Sequence, residues 1–126
     1  MREILILSET QPPAALGAAL RWPGVRISVA GGLTVADMVE RLGGSGAYDA
    51  VIVETAARSA RLTAAVKALP CRSAEVLREN PWRNADGSPN FDARPAGADC
   101  MVFGLGTAGY EVAVDLLSAQ FGKARQ

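Results

Sequence analysis

Glu9 and Glu54 are the side chains best placed to do chemistry. Each follows an apolar run: Ile4-Leu5-Ile6-Leu7 leads into Ser8-Glu9, and Asp49-Ala50-Val51-Ile52-Val53 leads into Glu54. If both runs are buried parallel strands, their C-terminal ends lie where ligands bind in open α/β sheets. Ser8, Glu9 and Glu54 would then outline an acidic pocket of the kind that can hold Mg²⁺ against a phosphoryl group. The plainer alternatives are solvated strand-end carboxylates, or carboxylates set against a helix N-terminus. A second candidate is Gly104-Leu105-Gly106-Thr107-Ala108-Gly109, which matches G-x-G-x-x-G after a strand and before a helix. Gly104, Gly106, Thr107 and Gly109 would form an anion-binding turn that offers backbone amides to a phosphate. A dinucleotide fingerprint needs a further strand and an acid about 20 residues on, and neither is expected before Gln126. A tight strand-to-helix turn is the simpler reading.

The sequence contains no histidine. Ser-His and Cys-His nucleophile pairs and imidazole-based zinc sites are therefore excluded. Cys71 and Cys100 show no metal-ligand spacing and read as two reduced thiols. No metal and no cofactor is expected.

The elements that must position these residues follow from periodicity. Residues 3–7, 25–29, 49–53 and 99–103 read as strands. Pro12-Pro13 opens a helix over 14–20, which Pro23-Gly24 ends. Thr34 and Asp37 resemble a capping box ahead of the stripe Val35, Met38, Val39, Leu42. Leu62, Ala65, Val66 and Leu69 mark another helix, and Thr107 can cap a last one carrying Tyr110, Ala113, Val114, Leu117 and Phe121. Residues 72–79 fit a short helix or a poor strand, and 80–96 are rich in turn residues. The expected fold class is α/β: one domain over 1–126, a three-layer sandwich with a mostly parallel five-stranded sheet. The fourth-strand region is irregular, within an atypical loop at about 71–96.

A chain of 126 residues, 49% hydrophobic, can bury a core without staples. With 13 basic and 13 acidic residues the net charge is zero, which disfavours a general nucleic-acid or anionic-membrane surface. Arg58, Arg61, Lys67, Arg72, Arg78 and Arg83 form a local basic excess that reads as a solvated face. No basic apolar leader opens the chain and no apolar run reaches membrane-spanning length, so cytoplasmic localisation is expected. Trp82, Phe91 and Tyr110 are candidate interface anchors.

The first strand with Ser8-Glu9, the stretch Tyr48–Glu54 and the triplet Gly97-Ala98-Asp99 resemble the receiver domain of bacterial response regulators, with its flavodoxin-like architecture. The departures are specific. A working receiver has an acidic pair after strand one, where this chain has Ser8-Glu9, and an aspartate after strand three, where it has Glu54. A hydroxyl residue after strand four is not found near Pro81-Trp82, and Phe103-Gly104 replaces the lysine after strand five. Without that lysine and one acid, phosphoryl transfer loses most of its electrostatic stabilisation. The resemblance therefore implies a phosphorylation-independent pseudo-receiver: a noncatalytic signalling module that docks a protein partner or a second copy as a dimer. The alternative is an α/β protein or enzyme that binds a small phosphate-bearing ligand at the Gly104–Gly109 turn.

Overall fold

The fold is set by five short strands, of which the three central ones bury both faces. A computed structural model of the chain describes residues 1–12, 16, 22–56, 59–89 and 97–121. Its strands are β1 (Arg2–Ser8), β2 (Val25–Ala30), β3 (Ala50–Glu54), β4 (Arg72–Leu77) and β5 (Cys100–Phe103). They form one sheet in the order β2-β1-β3-β4-β5, and every pairing is parallel. The helices are α1 (Val35–Gly43), α2 (Ala60–Lys67) and α3 (Ala108–Ser118).

Alternation along the strands divides the core into two layers. Ile4, Ile6, Ala50, Ile52, Ala74 and Val76 face Tyr110, Ala113, Val114 and Leu117 of α3, with Leu16 and Trp22 completing that layer. Leu5, Leu7, Val51 and Val53 face Met38 and Leu42 of α1 and Leu62 and Val66 of α2. Each large aliphatic side chain so buried contributes roughly 1.5–3 kcal/mol relative to exposure. The α/β three-layer arrangement expected from the sequence is the one observed. The helix expected over 14–20 lies outside the described residues except Leu16, which is buried.

One expectation needs correcting. The supposedly irregular fourth-strand region contains β4, a regular strand that is buried along almost its whole length. It was obscured because its inward positions include Ser73 and Glu75, both almost fully buried. The irregular part of 71–96 is shorter: after β4 the chain turns through 78–89, closed by a single bridge between Arg83 and Pro89. Residues 90–96, including the Phe91 anchor, lie outside the described residues.

Two aspartates fix strand starts by the same device. The Glu3 amide donates to Asp49 Oδ2 at 2.8 Å while the Asp49 amide donates to the Glu3 carbonyl at 2.8 Å. The Ser73 amide donates to Asp99 Oδ2 at 2.8 Å while the Asp99 amide donates to the Ser73 carbonyl at 3.1 Å. Each aspartate thereby pins the register of the strand it opens. Leu77 is paired with Phe103, so Arg78 and Gly104 emerge side by side at the C-terminal edge.

The capping box expected at α1 is present: the Asp37 amide donates to Thr34 Oγ1 and the Thr34 amide donates to Asp37 Oδ2, both at 3.1 Å. Bonds from the Thr34 backbone and then its side chain hold the Asp37 carboxyl below the ordinary carboxylate value. A depressed folded value stabilises the fold above the unfolded pKa, and that contribution disappears as pH falls through the folded one. In acid titration followed by circular dichroism, wild type is therefore expected to lose its stability advantage over Asp37→Asn as pH drops below about 4. An advantage that stays constant down to pH 2 would contradict this origin.

Candidate functional site

The order β2-β1-β3-β4-β5 reverses direction between β1 and β3, and the crevice outside their C-terminal ends is the usual ligand position of such sheets. Ser8 and Glu54 are register partners there. Both point to the α3 face, because Ile6 and Ile52, two residues earlier on the same strands, do so.

Glu54 is 4% exposed, and its Oε1 gathers four donors from three segments. Tyr110 Oη of α3 donates at 2.8 Å and Arg78 Nε at 3.1 Å. Thr10 Oγ1 donates at 2.5 Å, and Ser8 Oγ lies at 3.3 Å. A carboxylate this buried is tolerated only when paired and hydrogen-bonded. Arg78 is itself held in place: Nη2 donates to the Gln11 carbonyl at 3.2 Å and to Tyr110 Oη at 3.4 Å, and its guanidinium lies 5.6 Å from the Tyr110 ring centre. The Tyr110 hydrogen bond first, with Glu54 behind it, raises the Arg78 pKa against the opposing effect of burial. The Arg78 side chain remains 31% exposed, so a fixed cation meets solvent at the crevice.

Glu9 does not join this cluster. Its Oε2 accepts from Thr55 Oγ1 at 2.7 Å and from the Ala56 amide at 3.1 Å, so it ties the chain after β1 to the chain after β3. The three residues expected to form one acidic pocket are thus separated: Ser8 and Glu54 act together, and Glu9 is an exposed clip beside them. Glu54 is also not a solvated strand-end carboxylate.

The Gly104–Gly109 turn is a strand-to-helix connection in which all three glycine amides are in use. The Gly104 amide donates to Leu77 O, Gly106 to Arg78 O, and Gly109 to Gly106 O. Gly104 and Gly106 adopt φ of 76° and 56°, which explains glycine at both. Gly109 has a different reason: a Cβ there would sit 3.1 Å from Val76, so the helix packs closely on β4. Thr107 has helical backbone angles and makes no side-chain cap bond, contrary to the capping role expected of it. The turn therefore braces Arg78 from below.

Trp82 is 42% exposed on the segment after β4. Tyr110, expected as an interface anchor, is fully buried, with its ring in the core and its hydroxyl in the cluster. The position after strand four, expected near Pro81-Trp82, is Arg78, three residues before Pro81. Arg78 and Thr10 are the site residues the sequence reading missed. An earlier assignment of β4 would have found Arg78, the first residue beyond it. An apolar groove of about 300 Å³ between α1 and α2, lined by Val39, Leu42, Ala65 and Leu69, holds none of these groups.

No protein-family profile and no curated protein matches the chain. Solved structures do. A type II dehydroquinase from Butyrivibrio crossotus is 12% identical, with 92% of this chain and 97% of that one aligned at a TM-score of 0.73. Type II dehydroquinase from Propionibacterium acnes is 22% identical over 94% and 99%, with a TM-score of 0.71. A candidate pilus assembly-related protein from Burkholderia pseudomallei is 23% identical over 99% and 95%, with a TM-score of 0.55. These likenesses define the class as a flavodoxin-like α/β domain and carry the fold alone. The expectation of a noncatalytic signalling pseudo-receiver is overturned, together with the response-regulator reading that went with it, because the better-superposing of these structures are those of enzymes. The receiver resemblance rests on the first strand with Ser8-Glu9, the stretch Tyr48–Glu54 and the triplet Gly97-Ala98-Asp99, and a shared fold of this order does not carry a function with it. No helix among the described residues is long and apolar enough to cross a membrane.

Two substitutions test the cluster. Tyr110→Phe removes one donor from a buried carboxylate while keeping the ring, and should lower stability by about 1–3 kcal/mol in urea denaturation; an unchanged midpoint would show that Glu54 does not depend on it. Gly31→Ala places a Cβ 2.9 Å from the Thr10 carbonyl oxygen and 2.8 Å from the Gln11 side chain. It should cost about 1–3 kcal/mol as overpacking and displace the Thr10 amide resonance, whereas an unperturbed Thr10 would mean the segment yields freely.

Proposed function

We propose that this chain binds a small hydroxylated carboxylic acid at the crevice between β1 and β3 and performs acid–base chemistry on it. The observation that carries this reading is Arg78: a guanidinium held by Glu54, Tyr110 and the Gln11 carbonyl, yet still partly open at the C-terminal edge of the sheet. A preorganised arginine is the preferred partner for a carboxylate, since its planar fork matches two oxygens. The hydroxyls of Ser8 and Thr10 stand beside it to meet substrate hydroxyls. With no histidine in the chain, proton transfer falls to Glu54, and the exposed Thr10 hydroxyl bonded to it is the route by which a proton reaches it.

The names of the dehydroquinase neighbours support a hydroxylated carboxylic acid as the ligand class. The Gly97-Ala98-Asp99 triplet and the strand-end pattern support remote descent shared with receiver-like domains, without a signalling role. Calorimetric titration with quinate and 3-dehydroquinate tests the reading. Saturable binding is expected, weakened at least tenfold by Arg78→Ala and less by Arg78→Lys. Dehydration of 3-dehydroquinate followed by absorbance would add activity. If neither compound binds, or if Arg78→Ala binds as wild type does, the proposal fails.

A further inference from the structure

Residues 9–11 are exposed and lie outside any helix or strand, yet they supply two of the contacts that fix the cluster. Thr10 Oγ1 donates to Glu54 Oε1 at 2.5 Å, and the Gln11 carbonyl accepts from Arg78 Nη2 at 3.2 Å. Exposed irregular segments are ordinarily the more mobile parts of a fold. Glu9 is what restrains this one. Its amide donates to the Glu54 carbonyl at 2.9 Å, which extends the β1–β3 ladder past the Ser8–Glu54 pair. Its side chain then crosses to the chain beyond β3, where Oε2 accepts from Thr55 Oγ1 at 2.7 Å and from the Ala56 amide at 3.1 Å. Thr55 is fully buried, so the clip has a fixed anchor. By alternation from Val53, Thr55 lies on the α1 and α2 face, opposite to Glu54. Among the described residues, the other bond reaching 9–11 from outside the cluster is the Gly32 amide to the Thr10 carbonyl, at 3.3 Å.

We propose that Glu9 is a positioning residue for Arg78. By clipping the end of β1 to the end of β3, it holds the Thr10 hydroxyl and the Gln11 carbonyl where they orient the guanidinium. Its consequence for ligand affinity rests on the small-acid reading above, whereas its effect on Arg78 requires no ligand. The role belongs to an acceptor oxygen rather than to a charge. An amide carbonyl oxygen can accept the same two bonds, so Glu9→Gln keeps the clip and Glu9→Ala removes it. Without the clip, Arg78 keeps Glu54 and Tyr110 but loses a fixed Gln11 carbonyl.

The Arg78 Nε–Hε resonance in proton–nitrogen NMR spectra of the ligand-free protein, assigned by its loss in Arg78→Lys, reads this out. Glu9→Ala should shift it and speed its hydrogen exchange, and Glu9→Gln should restore the wild-type signal. Thr55→Val, which removes the donor on the other side, should act like Glu9→Ala and decides the matter if that variant fails to fold. In calorimetry, Glu9→Ala should weaken quinate binding about threefold to tenfold, the equivalent of one ordinary hydrogen bond. An Arg78 signal unchanged in Glu9→Ala overturns the inference, whatever quinate does. Equal perturbation by Glu9→Gln and Glu9→Ala also overturns it, since charge would then be the cause. A displaced Arg78 signal restored by Glu9→Gln, in a protein that binds no quinate, upholds the positioning role and removes the small-acid reading alone.

Discussion

Burying the Glu54 carboxylate is the constraint on which the rest of this structure depends. An ionised carboxylate taken out of water costs several kcal/mol unless charge and hydrogen bonds replace its hydration. Here the replacements come from three separate parts of the chain: the end of β1, the residue after β4, and the first turn of α3. None is adjacent to Glu54 in sequence. The carboxylate is satisfied only if β1, β3 and β4 lie in the observed order and α3 docks with Tyr110 over the edge. Because a buried ion pair is roughly neutral in net stability, its effect is better seen as selecting this docking of α3 over alternatives that pack the same apolar stripe.

That division explains what the sequence discloses. β1 and β3 are legible because they are unbroken apolar runs flanked on both faces by helices, which is how buried parallel strands read. α1 is legible through its capping box and stripe. β4 is not, because Arg-Ser-Ala-Glu-Val-Leu satisfies a helical period as well as a strand period. Its strand character comes from tertiary pairing, with β3 on one side, β5 on the other, and the Ser73–Asp99 exchange at its start. Losing β4 also hides Arg78, since a residue becomes a strand-end residue only once the strand is placed. Glu54 could be picked out from its own run; its partners could not.

Tyr110 shows the same limit differently. The stripe Tyr110, Ala113, Val114, Leu117 marks the buried face of α3, and all four are buried. Periodicity identifies the face but says nothing of the one polar atom at its end. The ring fills the core beneath β3 and β4, while the hydroxyl reaches Glu54 and Arg78. A tyrosine at the first turn of a core helix can serve both packing and the site, because its apolar body and polar tip are separate. The glycine turn completes the arrangement. Gly109 allows the close approach of α3 to β4, and the Gly104 and Gly106 amides bond the carbonyls of Leu77 and Arg78.

The same strand order serves unrelated chemistries, so the fold cannot decide between them. The position and kind of the cation can. A lysine on the last strand would present a mobile point charge with three rotatable donors. Arg78 on β4 presents a planar fork already fixed along one edge by Glu54 and Tyr110. Fixing that edge limits how a ligand can approach, because Nε and Nη2 are already engaged and Nη1 is left to meet it. The bound Glu54 also cancels the positive charge that a doubly charged phosphate would need. On the proposed reading, a guanidinium whose charge is already shared with Glu54 suits a singly charged carboxylate better than a doubly charged phosphoryl group.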